Sequence, residues 1–282
     1  MLVLTCSSKL AALRCLLTHS FPESLKACGA LHHVINGNPF KLEVLVDRWP
    51  EFSTVMCRPS LEDMKDPSDH YTNTYFLFSR DPQNLRQILE DPKAVNWNQD
   101  LQIQGCQPAL GGVLQEVSSK HGKQMQTTSN FLYMKDRIAE EELEKINNIS
   151  SKELCYTSLS VHEAPLVNSK WALGMNQQSL RFVEHCIQYL PTICVRKKGL
   201  DHPIAWGLTE NCEIRMGYTT PAYRNLGLAQ SVLLKLAAAN YKTGAPVFVH
   251  VAPDNILSQA SVTKAGFELS GRWQQYYFKQ PQ

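Results

Sequence analysis

Between positions 212 and 239 the chain reads CEIRMGYTTPAYRNLGLAQSVLLKLAAA, an extended segment that runs through a short turn into a helix. The turn is chemically restrictive. In Arg224, Asn225, Leu226, Gly227, Leu228 and Ala229, the small Gly227 and Ala229 let the backbone come close to a ligand. Successive amide N–H groups opening the helix point into one concavity, which suits an anion. The helix dipole favours a diphosphate there by up to roughly 2 kcal/mol when the charge is partly buried. A helix that merely starts at a glycine has the same residue types, so the hexapeptide alone leaves both readings open.

A ligand at that turn needs a fixed frame around it. Leu228, Val232, Leu233, Leu236 and Ala237 share one face of the helix over residues 227–241 and pack it on a sheet. Strands are expected at 213–218, 246–251 and 272–278, with a second helix at 255–265. Upstream, a helix at 176–189 repeats apolar Leu180, Val183 and Ile187, and strands 192–196 and 203–208 form a hairpin across RKKGLDHP. The first half alternates in the same way: a helix at 8–18, strands near 27–35, 41–46, 54–58 and 71–79, and a helix at 82–90 with Asp81 as N-cap and Pro82 at its first position. The run AEEELEKI (139–146) reads as a solvated helix face and NNISSKE after it as a linker, which places the boundary at 147 and gives domains 1–147 and 148–282. Asn148, Ile149 and Ser150 match a glycosylation sequon, a triplet common by chance.

Composition narrows the function classes. The chain has 282 residues, 43% of them hydrophobic, enough for a buried core in two domains. Its 28 basic and 26 acidic residues give a net charge of +2, with no general pull toward nucleic acid or anionic membrane. The nine cysteines include no CxxC and no Cys/His pair at zinc spacing, so no metal is expected and the thiols read as reduced and intracellular. No apolar run is long enough to span a bilayer. Residues 1–21 carry Lys9, Arg14 and His19, two of the serines near the start, leucines on one face and no acid before Glu23, the make-up of a mitochondrial presequence. The same segment also reads as an ordinary first helix packing Leu10, Leu13 and Leu17 inward, and the two coexist if it is not cleaved.

The R-x-x-G-x-A turn, after a strand and opening a helix, resembles the acyl-CoA-binding motif of the GCN5-related N-acetyltransferase (GNAT) superfamily. The segment from Asn255 to Phe267 resembles its second motif, N-x-x-A-x-x-x-Y-x-K-x-G-F, with Lys264, Gly266 and Phe267 in register and Val262 where tyrosine usually stands. That tyrosine is credited with protonating the leaving thiolate, so another proton source is needed or the sulfur leaves as thiolate. The strings NGNPFKLEVLVDRWPEF (36–52), DHYTNTY (69–75), SRDPQNL (79–85), NWNQDLQIQGCQ (96–107), LVNSKWALGMNQQSLRFVEHCI (166–187) and CEIRMGYTTPAYR (212–224) resemble the glycine N-acyltransferase and glycine N-acyltransferase-like family. The resemblance implies an α/β (α+β) chain of two GNAT-like halves, each a mixed, mostly antiparallel sheet flanked by helices, with the active site in the C-terminal half. It implies transfer of an acyl group from acyl-CoA, as co-substrate, to the amino group of glycine or glutamine. Detoxification by amino acid conjugation follows, in mitochondria or alternatively in cytoplasm or endoplasmic reticulum. The default is a monomer.

Acylating an amino acid requires removal of an ammonium proton. Glu213 begins the strand that ends at the turn and matches the position of the family's catalytic glutamate, so the resemblance implies that it is the general base for direct attack of the amine on the thioester. On the residue alone it reads as a solvated strand-end glutamate paired with Arg215 or Arg224. Alternation places Glu213, Arg215 and Gly217 on one face. A backbone N–H of Met216, Gly217 or Tyr218 is expected to stabilise the oxyanion, and residues 224–229 with Asn255 to hold the CoA arm. His250, a lone histidine among valines, could serve as an alternate base or proton carrier but reads first as a satisfied core residue, and is left out of the expected site. Trp273, Tyr276 and Tyr277 read as core or acyl-pocket lining. The competing expectation is a non-catalytic acyl-CoA-binding protein on the same fold, motivated by Val262; protein lysine acetylation is disfavoured because no acidic groove is evident.

Overall fold

The computed structural model describes residues 1–149 and 152–281, without the side chain of Cys106. Ser150, and with it the sequon, and Ser151 of the NNISSKE segment lie outside the described residues. The chain packs as two units, residues 1–130 with 272–282 and residues 131–271.

The first unit contains β1 (Leu2–Val3), α1 (Ser7–Thr18), α2 (Leu25–Ile35), β2 (Leu42–Val46), β3 (Thr54–Pro59), β4 (Thr74–Ser79), α3 (Pro82–Glu90), β5 (Leu101–Cys106) and α4 (Gly111–Lys120). Next comes β6 (Gln124–Met134), whose last residues belong to the second unit. Neighbouring strands β1 to β4 are antiparallel and β4–β5 is parallel, the crossover being α3. β3 and β4 are buried at every position, as strands covered on both faces must be. Leu10, Leu13 and Leu17 of α1 and Ala27, Cys28 and Leu31 of α2 pack on one face, and Leu85, Ile88, Val113 and Leu114 of α3 and α4 on the other.

The second unit holds α5 (Glu140–Asn147), β7 (Leu154–Thr157), α6 (Ala164–Lys170), α7 (Gln177–Tyr189), β8 (Thr192–Lys197), β9 (Ala205–Glu210) and β10 (Glu213–Thr219). It continues with α8 (Leu228–Lys242), β11 (Phe248–Val251) and α9 (Ile256–Lys264), and β12 (Glu268–Lys279) then leads back to the first unit, where it pairs with β5. The design repeats: β7 to β10 are antiparallel neighbours, β10–β11 is parallel across α8, and β11 is antiparallel to residues 131–134. Both units are therefore mixed, mostly antiparallel sheets flanked by helices.

Several expectations are corrected. Residues 27–35 form the helix α2, not a strand. The units divide at residue 130, ahead of 147, and the acidic segment is not merely a solvated face: its Ile146, like Ile138 just before it, is buried in the second unit's core, and Leu143 packs against that core. Tyr276, read as core or acyl-pocket lining, lies in the first unit's core. Among the described residues no helix is long and apolar enough to cross a membrane.

Candidate active site

The site is built on β10. Asn211 and Cys212 both adopt left-handed backbone, φ 46° and 66°, the pairing of a two-residue type I′ hairpin turn whose twist matches the flanking strands. Asn suits the first position and Asn240 of α8 donates from Nδ2 to the Cys212 carbonyl at 2.7 Å, holding the turn to the crossover helix. This tight reversal sets Glu213 directly across from Glu210 on β9. Two buried carboxylates facing each other repel, and Arg215 relieves it: its guanidinium donates to Glu210, and its Nε lies 3.8 Å from Glu213 Oε1. Asn211 donates to Glu210 Oε1 at 3.0 Å, and the Arg215 guanidinium rests over the Trp171 ring at 5.7 Å. The Glu213 side chain is only 6% exposed, so it is no solvated strand end. The pairing with Arg215 holds; Arg224 is instead engaged with the Thr219 carbonyl, to which Nε donates at 3.2 Å.

Further along, β10 bulges. Arg215 pairs with Leu208 and Tyr218 with Trp206, leaving Met216 and Gly217 without cross-strand partners, and Met216 takes φ 52°. Three residues of β10 thus advance against two of β9, which shifts the parity. Tyr218, not Gly217, joins Glu213 and Arg215 on their face. A bulge is where a strand can release backbone N–H groups toward a ligand. Lys170 and Trp171, at the end of α6, lie over that face, Lys170 Nζ 6.0 Å from the Tyr218 ring centroid. α6 is held by a bidentate contact in which Arg196 of β8 donates to both Glu163 oxygens at 2.8 and 2.9 Å.

At the far end of β10 stands the turn. Asn225 and Gly227 are left-handed, φ 63° and 74°, and Gly227 is the N-cap of α8. Having no side chain, it leaves the first amides of α8 uncapped by any side chain, while Leu228 is buried and anchors the helix. Arg224, Asn225, Leu226 and Ala229 around it are exposed. Uncapped amides on an anchored helix start are donors for an anion. Asn255 begins α9, where its side chain accepts from Ser258 N at 3.1 Å, so it caps a helix and only its Nδ2 is left for a ligand arm. Val262 is buried in the apolar core with Val249 and Val251. Gly266, φ 78°, closes α9: its N–H bonds the Thr263 carbonyl at 2.9 Å and Phe267 N–H the Val262 carbonyl at 3.2 Å, the paired bonds of a Schellman ending.

The structure also brings in a residue that strand pattern alone undervalues. β10 and β11 pair at Glu213 and Phe248, so His250, two residues on, shares the Glu213 face; its Nδ1 lies 3.3 Å from Glu213 Oε1. The register of two strands joined by a helix is not written in either strand, although a histidine amid valines on the strand after the glycine turn was the available signal.

Against known proteins, residues 1–191 match the family described as aralkyl acyl-CoA:amino acid N-acyltransferase, and residues 198–280 match its C-terminal region. The chain belongs to this family. It is 37% identical to the glycine N-acyltransferases of Bos taurus and Homo sapiens over 276 residues, covering 92% of this chain and 93% of each relative. It is 36% identical to human glycine N-acyltransferase-like protein 2 over 286 residues, 95% of both chains. Among solved structures, a Drosophila protein superposes with a TM-score of 0.78 at 13% identity, covering 99% of this chain and 98% of that one. A GCN5-related N-acetyltransferase-like protein from Streptococcus suis superposes with a TM-score of 0.52 at 16% identity, covering 98% of this chain and all of the other. The fold is that of the GNAT acetyltransferases and the chain is an acyltransferase of the acyl-CoA:amino acid class.

Proposed function

We propose that this family member transfers an acyl group from acyl-CoA to the amino group of glycine or glutamine, releasing an N-acyl amino acid and CoA. The observation that carries the proposal is the layout of β10, with a buried carboxylate at its first residue, a bulge in its middle and an uncapped glycine-started helix beyond its end. The CoA diphosphate sits at residues 224–229, with Asn255 Nδ2 beside the pantetheine arm. The thioester lies along the bulge, where a backbone N–H of Met216, Gly217 or Tyr218 meets the developing oxyanion. Glu213 drives removal of the ammonium proton, its charge having been buried beside Arg215 rather than spent on solvent. Acyl-CoA is the only co-substrate and the chemistry uses no metal. The work is that of a monomer conjugating acyl groups, as in detoxification, in mitochondria with its first helix retained.

The test is incubation with a panel of aryl- and fatty acyl-CoAs against the amino acids, reading CoA thiol release and product mass. N-acylglycine or N-acylglutamine with stoichiometric CoA is expected. One observation favours a second reading, a non-catalytic acyl-CoA-binding protein: Val262 lies in the apolar core and offers no acid to the leaving sulfur. Tight CoA binding with no product from any acceptor would establish that reading and overturn the first.

A further inference from the structure

His250 is set apart from the other buried histidine contacts by its two nitrogens. Nδ1 faces Glu213 Oε1 at 3.3 Å, while Nε2 is fully buried and has no hydrogen-bond partner among the described residues. Buried polar nitrogens in folded proteins are nearly always paired, so an open one calls for a cause. An imidazole with one nitrogen against a carboxylate has its ring orientation and tautomer fixed, with the proton on the carboxylate side and the lone pair on the other nitrogen. The position fits a reacting molecule. Pairing of β10 with β11 begins at Glu213 and Phe248, no further pair follows among the described residues, and from the third residue on β10 bulges away at Met216 and Gly217. His250 therefore stands where the strands part, on the face shared by Glu213, Arg215 and Tyr218. The indole Nε1 of Trp206, opposite Tyr218 on that face, is likewise buried without a partner, so the face holds two polar nitrogens that a polar substrate can satisfy.

We infer that His250 Nε2 is the atom that takes the proton from the acceptor's ammonium, and that Glu213 acts through it, holding the Nδ1–H and balancing the imidazolium charge. The inference rests on the acyl-transfer function proposed above. An N–H bond of the ammonium breaks and its proton joins Nε2; the freed lone pair forms the N–C bond at the thioester carbon; the C–S bond breaks. Two protons are then surplus, one on the imidazolium and one on the nitrogen becoming an amide, and they go to the leaving sulfur and to solvent. The imidazolium thus supplies an acid beside the thioester that Val262 does not.

Two variants of the full chain test this with benzoyl-CoA and glycine as probes. His250→Asn keeps an amide N–H to face Glu213 but has nothing at Nε2. It is expected to fold with an unchanged melting temperature and unchanged KM for benzoyl-CoA, while kcat falls about a hundredfold or more. His250→Ala opens a space in which added imidazole is expected to restore turnover. His250→Asn turning over like the parent, or His250→Ala gaining nothing from imidazole, overturns the role of His250 while acyl transfer stands. A parent protein that acylates no acceptor overturns the acyl-transfer function itself, and this inference with it.

Discussion

At the scale of single residues, the account turns on backbone conformations as much as on side chains. Gly227 sits at φ 74° with nothing within 4 Å of where a Cβ would be, so it is required for its dihedral rather than for space. Gly227→Val is accordingly expected to cost about 1–2 kcal/mol of stability, from forcing a side chain into left-handed backbone. Displacing the first amides of α8 should also raise KM for acyl-CoA several-fold more than it lowers kcat, a split that steady-state kinetics will read. The glycine was legible in the sequence, since few other residues open a helix after a positive φ. So was Glu213, through its place at the head of the strand. What stayed hidden was its company. Glu210 opposite it depends on the two-residue Asn211–Cys212 turn, Tyr218 on its face depends on the bulge, and His250 depends on a parallel register set through a helix.

At the scale of elements, local signals worked where they were periodic or capped. Asp81 accepts from Gln83 N at 2.9 Å and Asn84 N at 3.2 Å with Pro82 behind it, and α3 begins and ends as read. Helix α2 failed the same test for a physical reason. Every residue from Leu25 to His32 is buried, which erases the 3.6-residue alternation and makes a short apolar run look like a strand. β5 alternates apolar Leu101 and Ile103 with Gln102 and Gln104 as a half-solvated strand does, yet both glutamines are buried, satisfied by Thr74 and Lys26. The first helix shows how targeting composition and core packing coexist. Leu13 and Leu17 of α1 are fully buried and Leu10 nearly so, in the core of the first unit. Leu13→Ala is therefore expected to lower unfolding free energy by about 2–5 kcal/mol, measurable by urea denaturation. A stability change within experimental error would mean that this helix is a dispensable leader.

At the scale of the whole molecule, one strand–helix–strand design occurs twice and has been kept open only once. In the second unit it carries a buried glutamate at the start of β10 and an uncapped helix after Gly227. In the first, β4 starts with Thr74, whose hydroxyl donates to the Tyr71 carbonyl and accepts from Gln102, and the amides opening α3 are taken by Asp81. A carboxylate already fills the place an incoming phosphate would need, and its charge repels one. Calorimetric titration with CoA should accordingly give one site per chain, and a second site would show that α3 also binds. The central claim, that this chain moves an acyl group with proton removal driven from Glu213, is tested most directly by Glu213→Gln, which keeps the shape and removes the charge. Measured with an acyl-CoA that the parent turns over, the variant is expected to bind that acyl-CoA with unchanged affinity while kcat falls about a hundredfold or more. Undiminished turnover would contradict the account.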